Sequence, residues 1–406
     1  MTQDPGAHRS TPLHSVETLS PQSLLRQLTS TRLCPGQHLG MDIGGANLKV
    51  CLISVAADGS WEVDTKSLPF AMWQKPEQLT ATILNAVRSL STLASAHFES
   101  CTITMTGEIA DCFPSKQQGV RSIVDSCAEA MASWQLSPRF YAQVEAASPS
   151  PQTGSEPSFR LHDTATAQQN WLAVAASNWH AVANLIRQCL FASGQYPYAG
   201  CLLLDLGSTT LDLTHLSAAA LPFASDWQRI QAGQLVYTGV GRSPMACQLP
   251  RFHTMDGLSL PLAQELFATA RDTYLITGDV EPADDDRNTA DGRPATVAMA
   301  RQRIARMLCS DVSELPPSLI DQIADQAKSH QMSLVSQAIE RQVGPQHPTR
   351  LALCCGEGEF LLQQVLQRDF PQIAAVSMSQ QLPLEISAVA PAFAVAYLGC
   401  QRFSEN

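Results

Sequence analysis

Two aspartates stand where this chain could hold phosphate. Asp42 lies within Gly40-Met41-Asp42-Ile43-Gly44-Gly45-Ala46-Asn47-Leu48-Lys49-Val50, and Asp205 within Cys201-Leu202-Leu203-Leu204-Asp205-Leu206-Gly207-Ser208-Thr209-Thr210-Leu211-Asp212-Leu213. In each, an apolar run enters an Asp-x-Gly turn of small residues and a second apolar run leaves it. That pattern predicts a β-hairpin whose tip carries so little side chain that backbone N–H groups can approach an anion. Asp42 and Asp205 would hold Mg²⁺, directly or through water. The amides of Gly44, Gly45 and Gly207, with Asn47, Ser208, Thr209 and Thr210, would meet phosphate oxygens. Lys49 adds a point charge suited to a diphosphate. Asp212 reads equally as a solvent-facing strand residue. Two such hairpins so far apart imply duplicated halves facing each other across a phosphate-binding cleft.

Other residues could supply the remaining chemistry. Ser100–Thr104 is strand-like and runs into Thr106-Gly107-Glu108, placing Glu108 at a strand's carboxyl end, where open α/β sheets bind ligands. Glu108 or Asp111 is the candidate base for a hydroxyl, with the other on the metal. His180 is a third catalytic candidate and Asn178 a pocket candidate; both lie in an apolar helical stretch, where a histidine equally reads as a satisfied core residue. Arg242 follows Gly239-Val240-Gly241 and precedes Ser243-Pro244, a good helix start. A helix N-terminus beside an arginine makes an anion site. The acidic stretch from Asp284 to Arg293 lacks the glycine and distal glutamate of a calcium loop, so that reading is rejected.

These residues need elements to hold them. The chain has 406 residues, 45% hydrophobic and 16% charged, enough for two or three domains with full cores. A net charge of −11 argues against nucleic acid or an anionic membrane as partner. The apolar runs are strand-sized, so no membrane span is expected, and Met1–Ser10 does not read as a secretory signal. The 12 cysteines lack framework or zinc spacing and several sit in apolar runs, pointing to core roles in a reducing cytoplasm. Strands are predicted at Leu39–Ile43, Leu48–Val55, Trp61–Leu68, Ser100–Thr104, Arg139–Val144 and Leu351–Cys355. Helices are predicted at Pro76–Leu93, Ile123–Trp134, Thr166–Phe191, around Leu260–Leu275, Thr296–Leu308, Pro317–Arg341 and Ile386–Gly399, with a short one around Pro21–Leu28. Ala147–Ser158 reads as a loop.

Several blocks together carry a resemblance. The double hairpin, with Leu351–Leu362 as strand, Gly-x-Gly and helix, resembles the actin, sugar-kinase and hsp70 ATPase superfamily. That likeness implies an α/β fold of two ribonuclease-H-like domains clamping a nucleotide, with Gly356-Glu357-Gly358 on the adenosine side. Asp42–Lys49, Thr106–Phe113 with Lys116 and Gly119, Asn178–Ala181, Asp205–Asp212, Tyr237–Pro244 and Thr289–Pro294 look more narrowly like the hydantoinase/oxoprolinase-like proteins of tetrahydromethanopterin-linked one-carbon transfer. The resemblance covers roughly residues 38–400. Its archaeal members join an aminomethylfuran-methyl diphosphate to the phenol oxygen of γ-glutamyltyramine in methanofuran biosynthesis, releasing pyrophosphate.

The resemblance implies a cytoplasmic transferase using Mg²⁺, with small-molecule diphosphate and phenolic amine substrates, and Asn178, Tyr237, Asp291 and Arg293 in the acceptor pocket. A homodimer is allowed for. The alternative is an ATP-dependent kinase or hydantoinase-type hydrolase, with ATP in the same loops. Domains are expected at 1–36 (a loose extension), 37–195 completed by a helix at 384–402, and 196–383 with a helical insert at about 245–346.

Overall fold

The structure, a computed structural model, describes residues 28, 31–90, 97–144, 158–192, 200–217, 221–344 and 349–403. Strands β1 (Gly36–Ile43), β2 (Asn47–Val55) and β3 (Trp61–Pro69) form an antiparallel meander. Helix α1 (Leu79–Arg88) crosses back to β4 (Phe98–Met105), which lies parallel to β1. Helix α2 (Lys116–Ala132) then leads to β5 (Arg139–Gln143), parallel to β4, and β6 (Phe159–His162) closes the edge, giving the order β3-β2-β1-β4-β5-β6.

This sheet is buried on both faces, which is why its central strands read as nearly unbroken apolar runs. Leu39, Met41, Ile43 and Val50 pack with Ile83 and Val87 of α1 and Ile123 of α2. Cys51, Ile53 and Val55 pack on the other face with Ala392, Phe393 and Ala396, which belong to the last helix described below. Leu28 and Leu33 are buried in that same layer.

Three short helices follow: α3 (Thr164–Gln169), α4 (Trp171–Val174) and α5 (Asn178–Ala192). The single helix expected over Thr166–Phe191 is therefore broken. Asp163 starts the first piece by accepting from Thr166 N at 2.8 Å. Ala176 then takes the left-handed region (φ 46°), and the Ser177 hydroxyl turns inward to Thr104 Oγ1 (2.8 Å). An alanine-rich sequence favours helix everywhere, so the tertiary contact decides where it stops.

The second sheet repeats the first. Strands β7 (Cys201–Leu206) and β8 (Leu211–Leu216) form a hairpin, α6 (Asp226–Gln231) leads to β9 (Leu235–Val236), and β9 pairs antiparallel with β8. An insert carries α7 (Met245–Gln248), a hairpin of β10 (Arg251–His253) and β11 (Ser259–Pro261), then α8 (Ala270–Thr277), α9 (Val297–Arg306) and α10 (Pro317–Gln342). Met245, Phe252, Ile304, Met307 and Ile323 form its separate core. The helix expected over Leu260–Leu275 is strand at its start and begins only at Ala270, where Thr269 and Asp272 make a capping box. Pro261 lacks the N–H a continuous helix would need.

The chain returns through β12 (Leu351–Cys355), parallel to β7, helix α11 (Glu359–Asp369) and β13 (Ala374–Ser377), giving β13-β12-β7-β8-β9. Helices α12 (Leu384–Ser387) and α13 (Ala390–Phe403) end the chain. Helix α13 lies on the first sheet, so close that a Cβ on Gly40 would fall 2.1 Å from Ala392 O. Only glycine fits that crossing. In both sheets the first strand is flanked by its antiparallel hairpin partner on one side and a parallel strand on the other. Asp42 and Asp205 occupy matching positions near the carboxyl ends of β1 and β7. The helix expected around Pro21–Leu28 and most of the loop Ala147–Ser158 lie outside the described residues.

Candidate active site

The first hairpin turns tightly: Gly44 N donates to Asn47 O at 3.0 Å, and the register sets Asp42 opposite Lys49. Thr106 N and Gly107 N both donate to Ile43 O, at 3.0 and 2.9 Å, so the segment leaving β4 folds over the hairpin. Asp42 is 5% exposed, and its Oδ1 has no hydrogen-bond partner among the described residues. Burial pushes its carboxyl up to about 6, with the Lys49 ammonium opposing.

At the second hairpin Gly207 N donates to Thr210 O at 2.9 Å. Asp205, partly buried, is also pushed up to about 6, by burial first and by neighbouring Asp212, while Lys49 again opposes. Lys49 thus acts on an aspartate in each half. Two further segments converge on this tip. Gly241 N and Arg242 N both donate to Ser208 O, at 3.1 and 2.8 Å, and Gly358 N donates to Leu206 O at 2.7 Å. A Cβ on Gly239 would fall 2.3 Å from the Ser208 and Thr209 backbone, and one on Gly356 would fall 2.5 Å from Asp205 Oδ1. Gly239→Ala must therefore displace backbone rather than a mobile side chain. We expect it to cost about 2 kcal/mol in chemical denaturation and to abolish any thermal shift produced by pyrophosphate with Mg²⁺.

Glu108 is 1% exposed with Oε2 unpartnered among the described residues, while Asp111 is exposed. Burial raises the Glu108 carboxyl above the usual glutamate range, with Lys116 opposing. Lys116 Nζ lies 3.6 Å from Glu108 Oε1 and 3.3 Å from Asp226 Oδ2 on α6. Arg229 continues the line, 3.7 Å from Asp226 and 2.5 Å from Asp212 Oδ1. A row of alternating charge thus runs from the first half to the second: Glu108, Lys116, Asp226, Arg229, Asp212. Asp212, open between two readings in the sequence, is an ion-pair partner here. Near the same tips, the Arg242 guanidinium sits 5.4 Å from the Trp73 ring centroid.

The remaining sequence candidates are dispersed. His180 is fully buried on α5; its Nδ1 is 2.8 Å from the Tyr141 hydroxyl, and burial lowers its pKa to about 3. It is therefore neutral at working pH, and it packs against Trp179, over whose ring Arg229 lies at 4.0 Å. Asn178 Oδ1 accepts from Trp179 N at 2.7 Å. Tyr237 is 72% exposed beside the Arg242 segment. Asp291 and Arg293 pair with each other at 2.7 Å inside the insert, where Asp291 also meets Arg303 and Arg306. They connect toward the second tip through Arg303, which pairs with Asp291 and with Asp272 at the start of α8. The acidic loop before them uses Asp286 to pair with Arg271 at 2.5 Å. Sequence reasoning missed Asp226, Arg229 and Trp73, which carry no motif of their own; Lys116 was visible only as part of a motif block.

The two aspartates suit a hard cation. Each is a carboxylate disfavoured as an anion by burial, and Asp42 has an oxygen to spare. Among the described residues no three His, Cys, Asp or Glu side chains converge, so Mg²⁺ held here would take most ligands from phosphate oxygens and water, as it commonly does.

Two mixed α/β sheets of matching strand order are linked by the Lys116–Asp226 ion pair and by Arg242 over the Trp73 ring, the doubled α/β architecture the two hairpins predict. The hydantoinase/oxoprolinase family model matches residues 99–399, and the chain belongs to that family. It is 26% identical over 361 residues, 89% of this chain and 96% of the relative, to the (4-{4-[2-(gamma-L-glutamylamino)ethyl]phenoxymethyl}furan-2-yl)methanamine synthase of Methanocaldococcus jannaschii. A protein of the same name from Methanococcus vannielii is 24% identical over 201 residues, covering 49% of this chain and 90% of that one. Among solved structures, nucleotide-free acetone carboxylase is similar with a TM-score of 0.46 and 9% identity, covering 89% of this chain and 70% of that one. The ethanolamine utilization protein EutJ from Carboxydothermus hydrogenoformans is similar with a TM-score of 0.40 and 10% identity, covering 92% and 94%.

Proposed function

We propose that this chain is a transferase of methanofuran-type one-carbon cofactor biosynthesis. It joins an aminomethylfuran-methyl diphosphate to the phenol oxygen of a tyramine derivative and releases pyrophosphate. What supports the reading is the pair of glycine-rich hairpin tips with a buried aspartate near each, Lys49 standing opposite Asp42 in the first and its charge also opposing the raised carboxyl of Asp205 in the second. The near full-length match to one synthase of that name supports the substrate class. In this reading the division of labour follows the domains: 37–195 with 384–402 brings Asp42, Lys49 and Glu108, and 196–383 brings Asp205, Ser208–Thr210 and Arg242.

The chain's task is to hold the diphosphate while its bond to the furan-bearing carbon breaks. The electron pair of that carbon–oxygen bond leaves with pyrophosphate. Amides at Gly44, Gly45 and Gly207, with Lys49 and Arg242, stabilise the departing charge. Mg²⁺ held by Asp42 and Asp205 would neutralise more of it. The phenol oxygen forms the new bond to the carbon, and Glu108 takes the phenolic proton. Glu108 suits this because burial raises its carboxyl and Lys116 keeps an ionised form attainable. His180 serves from behind, holding Trp179 and Tyr141 in place.

The test uses the purified chain, Mg²⁺, a furfuryl-type diphosphate and a tyramine derivative, following pyrophosphate and ADP separately. Pyrophosphate is expected without ATP, and excess chelator is expected to stop its release. ADP formation coupled to substrate loss, without pyrophosphate, would replace this reading with an ATP-dependent kinase or hydrolase.

A further inference from the structure

Trp73 is an exposed tryptophan fixed in place on both sides. Its neighbours are stapled to the first tip: Phe70 N donates to Ala46 O at 2.9 Å and Met72 N to Gly45 O at 3.0 Å. Met72 is fully buried, and its carbonyl accepts from Cys112 Sγ at 3.3 Å. Trp73 itself remains 39% exposed. From the other half comes Arg242, whose backbone is anchored to Ser208 and which makes no ion pair among the described residues. Its guanidinium stands 5.4 Å from the indole centroid, whereas Arg229 lies flush on Trp179 at 4.0 Å. The Arg242 guanidinium thus lies over the Trp73 ring more loosely than Arg229 lies over Trp179, and part of the indole stays open to solvent. An aromatic face held rigidly between two phosphate-type tips favours a flat ring, and more so one gaining positive charge.

Resting on the transferase reading above, we infer that Trp73 is the ring-binding residue of the donor subsite. The exposed part of its indole stacks the furan, while Arg242, which lies over the same ring, reaches to the diphosphate on the same molecule. The indole face then steadies the carbon from which the diphosphate departs, and the arginine steadies the diphosphate. Ring and leaving group are bound by neighbouring residues on opposite halves, so the donor itself ties the two halves together.

Trp73→Ala and Trp73→Phe separate this role from a structural one. Because Trp73 is on the surface, both variants should melt within a few degrees of wild type. Trp73→Ala is expected to lower kcat/KM for the diphosphate donor by about tenfold or more, and Trp73→Phe to recover most of it. The inhibition constant for pyrophosphate, which has no ring, should move less than about threefold in either. Unchanged donor kinetics in Trp73→Ala would overturn the assignment. So would a phenylalanine variant no better than alanine, or a pyrophosphate constant rising in step with the donor KM. Failure of the wild-type chain to release pyrophosphate fails the transferase reading and takes this subsite with it. Loss of the Trp73 effect in an active wild type fails the subsite alone.

Discussion

Asp42→Asn is expected to cut turnover by at least about a hundredfold and, in the absence of metal, to make the protein more stable at pH 8. Both effects come from one carboxylate. Its pKa is raised from 3.8 to about 6 by burial, so folding favours the protonated form. For an acid raised in this way, the native state binds more protons than the unfolded chain between about pH 4 and 6. Stability therefore falls as pH rises through that window. The penalty is absent below it and complete above it, on the order of 2–3 kcal/mol at neutral pH. Asparagine carries no charge to bury. Urea denaturation in chelator should show the wild type losing stability from pH 4 to 6.5 more steeply than the variant. Turnover near the wild-type level, or a variant less stable than wild type at pH 8, would remove Asp42 from the phosphate and metal site. Asp205→Asn should lose activity similarly.

Glu108→Gln is expected to lower kcat by roughly a hundredfold to ten-thousandfold, the range for a positioned general base. Neighbours give this prediction a sharper form. The Glu108 carboxyl is raised by burial, opposed by Lys116 and raised further by Asp226. The rising limb of the pH–rate profile should therefore lie above the usual glutamate range. Lys116→Met removes the opposing charge, so the limb should move to higher pH. Asp226→Asn removes a like charge and leaves Lys116 to Glu108 alone, so the limb should move lower. Opposite displacements from two residues on different halves would be hard to produce by general damage. A limb that stays put in both variants would mean that Glu108 is not the titrating base.

Sequence by itself determined the parts governed by neighbours along the chain. Small residues at 44–46 and 207–210 demand tight tips, flanking apolar runs demand strands, and Thr106-Gly107 after a strand demands a turn at its carboxyl end. Those constraints act over a few residues, and two related hairpins sufficed to read a doubled α/β fold. The helix break at Ala176 was not legible, because alanine favours helix locally and the break is held by Ser177 reaching Thr104 on another element. The partners of charged residues were not legible either. Lys116 meets Asp226, and Arg242 meets Trp73, only after two halves fold and close, and nothing in local spacing distinguishes these side chains from solvated ones. Tertiary structure also decided that His180 is sealed against Tyr141 and that Asp291 and Arg293 pair within the insert. A side chain's chemistry is set by its burial and by the nearest charge, and both depend on segments far away in sequence.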